Sequence, residues 1–252
     1  MNELNYRSPL YIQLREVIRS KIEDGEYLPG TAIPSENQLA ETYGLNRLSV
    51  RSAVEALENE GLLKSVQGKG VFVQGPKTQR DLETLGGYRH TMQERGKDAS
   101  TKVLVKAVRS AGPLYARLLQ LAPEDPVWFI RRVDSSEGAP VALEEIYIPY
   151  ALCPWLEGID TALFSLYDAL QWNGIHLSVG HQTLRITRLE PAMARLIDLS
   201  PQQAVMEFSY SVQDKLGRIV EFSRSYIRGD RVEFSVHYSN SQLVNFNIKH
   251  LL

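Results

Sequence analysis

The sequence predicts an α+β chain in two parts: a small helical unit closed by a hairpin, then a larger unit built on a mostly antiparallel sheet with flanking helices. Three observations predict it. Up to residue 75 apolar residues recur at helical spacing between recognisable caps, and beyond residue 83 they alternate at strand spacing over longer runs. Between the two, Gly75, Pro76, Lys77 and Thr78 have the composition of a linker. The expected domains are therefore 1–75 and 83–252, joined by a linker at 76–82. At 252 residues, 43% hydrophobic and 23% charged, the chain is long and apolar enough for two packed cores.

The first helix is expected to start with Ser8 as cap and Pro9 in its first turn. It should carry Tyr11, Leu14, Val17, Ile18 and Ile22 inward and end at Gly25. The second starts at Ser35, where Ser35 and Gln38 have capping-box spacing, turns Leu39, Ala40 and Tyr43 inward and stops at Gly44. Asn46 caps the third, which runs through Val50, Ala53, Val54 and Leu57 to Gly61. Two strands follow around the turn Gln67, Gly68, Lys69 and Gly70, which makes a wing. A short helix, a turn and a second helix with a polar N-terminus is the geometry that puts side chains into a DNA major groove. The unit reads as a winged helix-turn-helix.

In the second unit, strands are expected at 102–108, 128–133, 142–148, 184–189, 205–212 and 220–226, and helices at 114–121, 165–172 and 191–199. The net charge of -2 and pI near 6.2 provide no global basic field, so contact with nucleic acid has to come from a local patch. One is present: Lys64, Lys69 and Lys77 lie in residues 61–77 with no acid among them. No apolar run approaches the roughly 20 residues of a membrane span, and Met1 to Arg7 lack the pattern of a signal peptide, so a cytoplasmic location and no membrane partner are expected. Cys153 is the single cysteine, which excludes an intrachain disulfide and suits a small buried residue.

Asn46, Arg47, Ser49 and Arg51 are the polar residues at the start of the third helix. Arginine can donate two hydrogen bonds to guanine, while Ser49 and free helix amides can hold a phosphate. From Pro9 to Val73 the chain resembles the GntR-type regulators. The resemblance rests on Ile33-Pro34-Ser35-Glu36, Leu39-Ala40, the run Gly44 to Arg51, Ala56-Leu57, Glu60-Gly61-Leu62 and the run Gln67 to Val73. It implies a regulator of transcription, a repressor by analogy, that binds double-stranded operator DNA as a homodimer. Asn37, Arg47, Ser49 and Arg51 would contact the operator, with Gln67, Gly68 and Lys69 at the wing tip. Leu48 stands where the family usually has threonine or another small polar residue, so no phosphate contact is expected there.

Residues 80–238 resemble the UTRA effector domain of the HutC-like branch, whose fold is like that of chorismate lyase. The segments that carry this are Gly138 to Glu144, Ser165-Leu166-Tyr167 and Val220 to Asp230. The resemblance implies a small-molecule effector, in some members a phosphorylated sugar, held by Arg132 and Ser165. Glu144 and Glu221 would take its polar groups, Tyr167 would lie beside Ser165, and Tyr226 would close over it. A competing reading makes Arg132 and Glu144 an ion pair across neighbouring strands and Ser165 a plain helix cap. Asp134 stands where a second family arginine would be, and Arg131, adjacent on the strand, should face the other way. That favours an effector with less negative charge, or with an amine. The alternatives are a C-terminal domain that only dimerises, or a lyase-like enzyme. The enzyme is disfavoured because His90, His176, His181, His237 and His250 form no ligand motif, and no metal or cofactor is expected.

Overall fold

The computed structural model describes residues 9–75, 99–239 and 242–250. The chain divides into two compact units, the first taking the N-terminal elements with residues 155–160 and the second the remainder. The expected linker at 76–82 and the expected cap Ser8 lie outside the described residues.

The first unit comprises α1 (Leu10–Glu23), α2 (Glu36–Tyr43), α3 (Arg47–Asn59) and the antiparallel pair β1 (Leu63–Val66) and β2 (Gly70–Val73). Pro9 is the N-cap of α1 and does not lie in its first turn. Leu14 and Ile18 are fully buried, whereas Tyr11 is exposed, because it shares their face but sits in the first turn beyond the edge of the core. Helix α2 has the expected capping box: Ser35 N–H donates to Gln38 Oε1 at 2.9 Å and Gln38 N–H to Ser35 Oγ at 3.4 Å. It ends at Gly44, whose φ of 63° is the left-handed conformation that glycine adopts without strain. Val50, Ala53, Val54 and Leu57 of α3 pack on Leu14, Ile18 and Leu39 to form the core. In the hairpin, Lys69 N–H donates to Val66 O at 3.0 Å with Gly68 at φ 75°, as a type II turn requires.

The second unit is a six-stranded antiparallel sheet in the order β3-β4-β5-β8-β7-β6. Its strands are β3 (Ala99–Ser110), β4 (Pro126–Ser136), β5 (Ala139–Pro149), β6 (Leu177–Arg188), β7 (Ala204–Asp214) and β8 (Ile219–Ile227). Three helices accompany it: α4 (Gly112–Leu119), α5 (Leu166–Trp172) and α6 (Pro191–Arg195). Every expected strand is present, and a separate hairpin, β9 (Val232–Ser239) with β10 (Gln242–His250), adds to them. Cys153 is fully buried, its thiol pushed up to about 12 by burial, and its carbonyl accepts Trp128 Nε1–H at 2.9 Å.

Paired residues of an antiparallel sheet project to the same side and successive residues alternate, so the register defines two faces. Arg132, Glu144 and Ser225 are successive partners across β4, β5 and β8 and share the first face. Arg131, Glu145 and Arg224 are partners on the second. Helix α4 packs Ala116 and Leu119 on the second face against Phe129, Tyr147 and Phe222, and Ala194 of α6 packs near Val133, Leu143 and Tyr226. No helix among the described residues is long and apolar enough to cross a membrane.

Leu57 is fully buried in the first core. Leu57→Ala is expected to lower stability by about 2–5 kcal/mol, measured by urea denaturation followed through the helical circular dichroism. A loss below about 1 kcal/mol would mean that the core lies elsewhere.

Candidate functional site

The N-terminal unit presents its polar residues on the start of α3 and the hairpin tip. Asn46 Oδ1 accepts Ser49 N–H at 2.8 Å, so the residue caps the helix and only its amide N–H groups remain for another partner. Arg47 and Asn37 are exposed, as are Gln67, Gly68 and Lys69 at the tip, while Ser49 is half-buried. Arg51 is exposed too, but Glu36 holds it: Nη2–H donates to Oε2 at 3.2 Å and Nε–H to Oε1 at 3.4 Å. The sequence reading missed Glu36, because the two residues lie on different helices. Leu48 is 74% exposed between Arg47 and Ser49. An apolar side chain at the open end of a groove-reading helix can meet the methyl group of thymine.

In the C-terminal unit the first face carries a buried polar cluster. Arg132 Nε–H donates to Glu144 Oε2 at 2.5 Å and its Nη1–H to Thr161 O at 3.3 Å. Ser225 Oγ–H reaches Glu144 Oε1 at 3.4 Å, and Thr101 Oγ1–H donates to Asp134 Oδ1 at 2.6 Å. Arg132 and Glu144 are thus an ion pair across neighbouring strands. Glu221 lies two and four residues before Ser223 and Ser225 on the same strand and shares their face, and Ser223 and Tyr167 lie near its carboxylate and favour its charged form. Glu221 Oε2 is nonetheless buried with no partner, as is Thr161 Oγ1. Burial, with the charge of Glu144 adding to it, pushes the Glu221 carboxyl up to about 7. Burial also raises Glu144 against the pull of Arg132. The Tyr167 hydroxyl is raised well above its ordinary value, first by burial and then by Glu221.

Arg132, Glu144, Glu221 and Tyr167 therefore converge. Ser165 is the N-cap residue of α5, but its hydroxyl makes no cap bond, so it is not a plain cap. Tyr226 does not belong with them: it pairs with Leu143, on the second face, and packs with Leu189, Ala194 and Ile197. The expectation that it closes over a ligand beside Arg132 is corrected by strand parity. Tyr210, Thr161, Ser223 and Ser225 went unread, although Tyr210 pairs with Ser223 on the cluster's face. Arg131 faces away, as expected, and pairs with Glu145 at 2.6 Å.

A model of the bacterial regulatory proteins of the gntR family matches residues 10–73, and a UTRA-domain model matches residues 94–233. The chain belongs to the GntR family of regulators with a UTRA domain. Among relatives, the mannosyl-D-glycerate transport/metabolism system repressor MngR of Escherichia coli (strain K12) is 30% identical, over 90% of this chain and 95% of its own length. The HTH-type transcriptional repressor NagR of Bacillus subtilis (strain 168) is 29% identical, over 91% and 94%. In fold the chain is similar to PhnF from Mycobacterium smegmatis, with a TM-score of 0.55, 22% identity and coverage of 88% of this chain and 95% of that one. This GntR-family chain is a DNA-binding transcription regulator that responds to a small molecule, and not an enzyme.

The raised Glu221 carboxyl gives a pH signature. An acid whose folded pKa exceeds its unfolded value of 4.5 contributes stability that is present below that value and is lost as pH rises through about 7. Between pH 4.5 and 7.5 the Glu221→Gln variant should therefore gain on the parent by about 3 kcal/mol, seen as a growing difference in melting temperature. A difference independent of pH would mean that Glu221 ionises as an exposed carboxylate does.

Proposed function

We propose that this regulator is a repressor that binds a pseudo-palindromic operator as a homodimer and releases it when a small polyhydroxy or amine-bearing metabolite occupies the first face of the C-terminal sheet. The observation that carries the ligand class is the pair of buried, unpartnered acceptor and hydroxyl atoms, Glu221 Oε2 and Thr161 Oγ1, at the Arg132–Glu144 pair. Buried polar atoms are normally satisfied, and hydroxyl or ammonium hydrogens would satisfy a carboxylate oxygen. Arg132 is the guanidinium of this cluster, it is already engaged by Glu144, and Asp134 adds a further acid, so the charge balance suits a sugar or amino sugar better than a phosphate. Ser165 and Tyr167 would complete the site. The relatives MngR and NagR are both repressors, which supports the sign of regulation.

Residues 1–75 would read DNA and 83–252 would bind effector and dimerise, in the cytoplasm, with 76–82 as linker. Arg47 would read a base edge directly. Arg51 would do so after exchanging Glu36 for guanine, and Asn37, Asn46, Ser49, Gln67, Gly68 and Lys69 would hold the backbone or the minor groove. Two-fold symmetry doubles the few base contacts one winged unit can make.

The test is selection of bound genomic fragments with the full chain, then operator titrations against sugars, amino sugars and sugar phosphates. Arg47→Ala is expected to weaken specific operator binding by roughly 1–3 kcal/mol with effector binding unchanged. Equal operator affinity in that variant would remove α3 from the groove. Arg132→Ala should abolish the response to effector while leaving ligand-free operator binding within a few-fold. That change leaves Glu144 buried and unpaired at a cost of about 3–5 kcal/mol, so the milder Tyr167→Phe serves beside it. A full response in both variants would place the pocket elsewhere.

A further inference from the structure

We propose a second ligand site, on the opposite face of the C-terminal sheet, that binds a small phosphate monoester. The site is a cavity of about 320 Å³ between α4 and strands β6, β7 and β8. Three guanidinium groups line it: Arg117 from α4, Arg185 from β6 and Arg224 from β8. Strand parity places it on the far side from Arg132 and Glu144, since Arg224 pairs with Glu145 and with Ser209 on the second face. The site is thus independent of the effector cluster proposed above.

Among the described residues two of the three arginines have no polar partner, while the third, Arg224, lies over the rings of Tyr115 and Phe222. Arg117 and Arg185 make no ion pair or hydrogen bond among the described residues. Arg224 Nε is buried with no acceptor, its nearest carboxylate, Glu207, being 3.9 Å away. Glu207, which also pairs with Arg185 across the strands, is one acid against three permanent cations, and the other acid near Arg224, Glu145, is taken by Arg131. Like charges held around one cavity repel unless an anion sits among them.

The remaining lining decides which anion. Thr183 and Ser211 present hydroxyls on the same face, with His181 paired to Ser211, while the Ser209 hydroxyl donates to Glu207 Oε1 at 3.2 Å. Donors thus arrive from three strands and a helix. The acceptor sites of a carboxylate lie close to one plane, whereas the three terminal oxygens of a phosphate accept from several directions at once. Leu114, Leu118 and Phe222 form an apolar wall, and a cavity of this volume is at the size of a metabolite site, larger than inorganic phosphate needs. An organic ester with its phosphate on the arginines and its carbon part on that wall fills both.

Calorimetric titration of the full chain with glycerol 3-phosphate and with inorganic phosphate, at constant ionic strength, tests this. The variant Arg117→Gln/Arg185→Gln removes two exposed cations that have no partner among the described residues and should fold as the parent does, with unchanged circular dichroism. Glycerol 3-phosphate is expected to bind the parent more tightly than inorganic phosphate, and to bind this variant at least tenfold more weakly. The charge-matched variant Arg195→Gln/Lys215→Gln, altered outside the cavity, should bind as the parent does. No binding by the parent, equal binding by the Arg117/Arg185 variant, or equal losses in both variants would overturn the site. Equal affinity for the two probes would overturn the ester.

Discussion

The Arg132–Glu144 ion pair lies on strands β4 and β5, which are buried nearly throughout, and two charges in such a place are costly unless hydrogen bonds complete them. Thr161 O and Ser225 Oγ complete them in part. The same face a little further along holds Ile130, Ile146 and Ile148, all almost fully buried, so an apolar solution for this sheet is at hand. The polar cluster departs from that solution and leaves Glu221 Oε2 and Thr161 Oγ1 unmet. Sites that bind ligands routinely give up stability in this way, and here the second face carries the compensating apolar packing, with α4 on Phe129, Tyr147 and Phe222 and α6 near Val133 and Leu143.

The N-terminal unit uses the opposite economy. Its core is apolar and small, built from Leu14, Ile18, Leu39, Val50, Val54 and Leu57, and its polar residues are held outward by local hydrogen bonds. The Asn46 cap sets where α3 begins and so which side chains stand at its open end. The Glu36–Arg51 pair holds an exposed arginine in place between α2 and α3. An exposed pair of this kind contributes little to stability, which leaves it free to be replaced.

What was legible in the sequence follows the range of the interactions. Ser35 with Gln38, Asn46 with Ser49, and Gly68 at the hairpin tip are contacts within a few residues, and all three are present as read. The six strands showed through alternation. Whether two residues on different strands share a face depends on register, which no single segment reveals. Arg132, Glu144 and Glu221 could be grouped through family resemblance. Tyr226 was grouped with them one residue out of phase, and one residue is a change of face. Thr161 and Tyr210 carried no local signal: one lies in a connection, the other in an ordinary strand pattern. The hairpin of β9 and β10 is not among the strands expected from alternation.

A ligand on one part of the chain that governs DNA binding by another must do so through a coupling free energy, and such coupling is reciprocal. The most direct measurement is therefore the effector's affinity for the free protein and for the operator-bound protein, set beside the operator's affinity with and without effector. The account predicts that the effector binds the operator-bound form more weakly, by the same factor, about tenfold or more, as that by which effector weakens operator binding. Equal effector affinity for the two forms would contradict it, because a ligand that binds both states equally shifts neither.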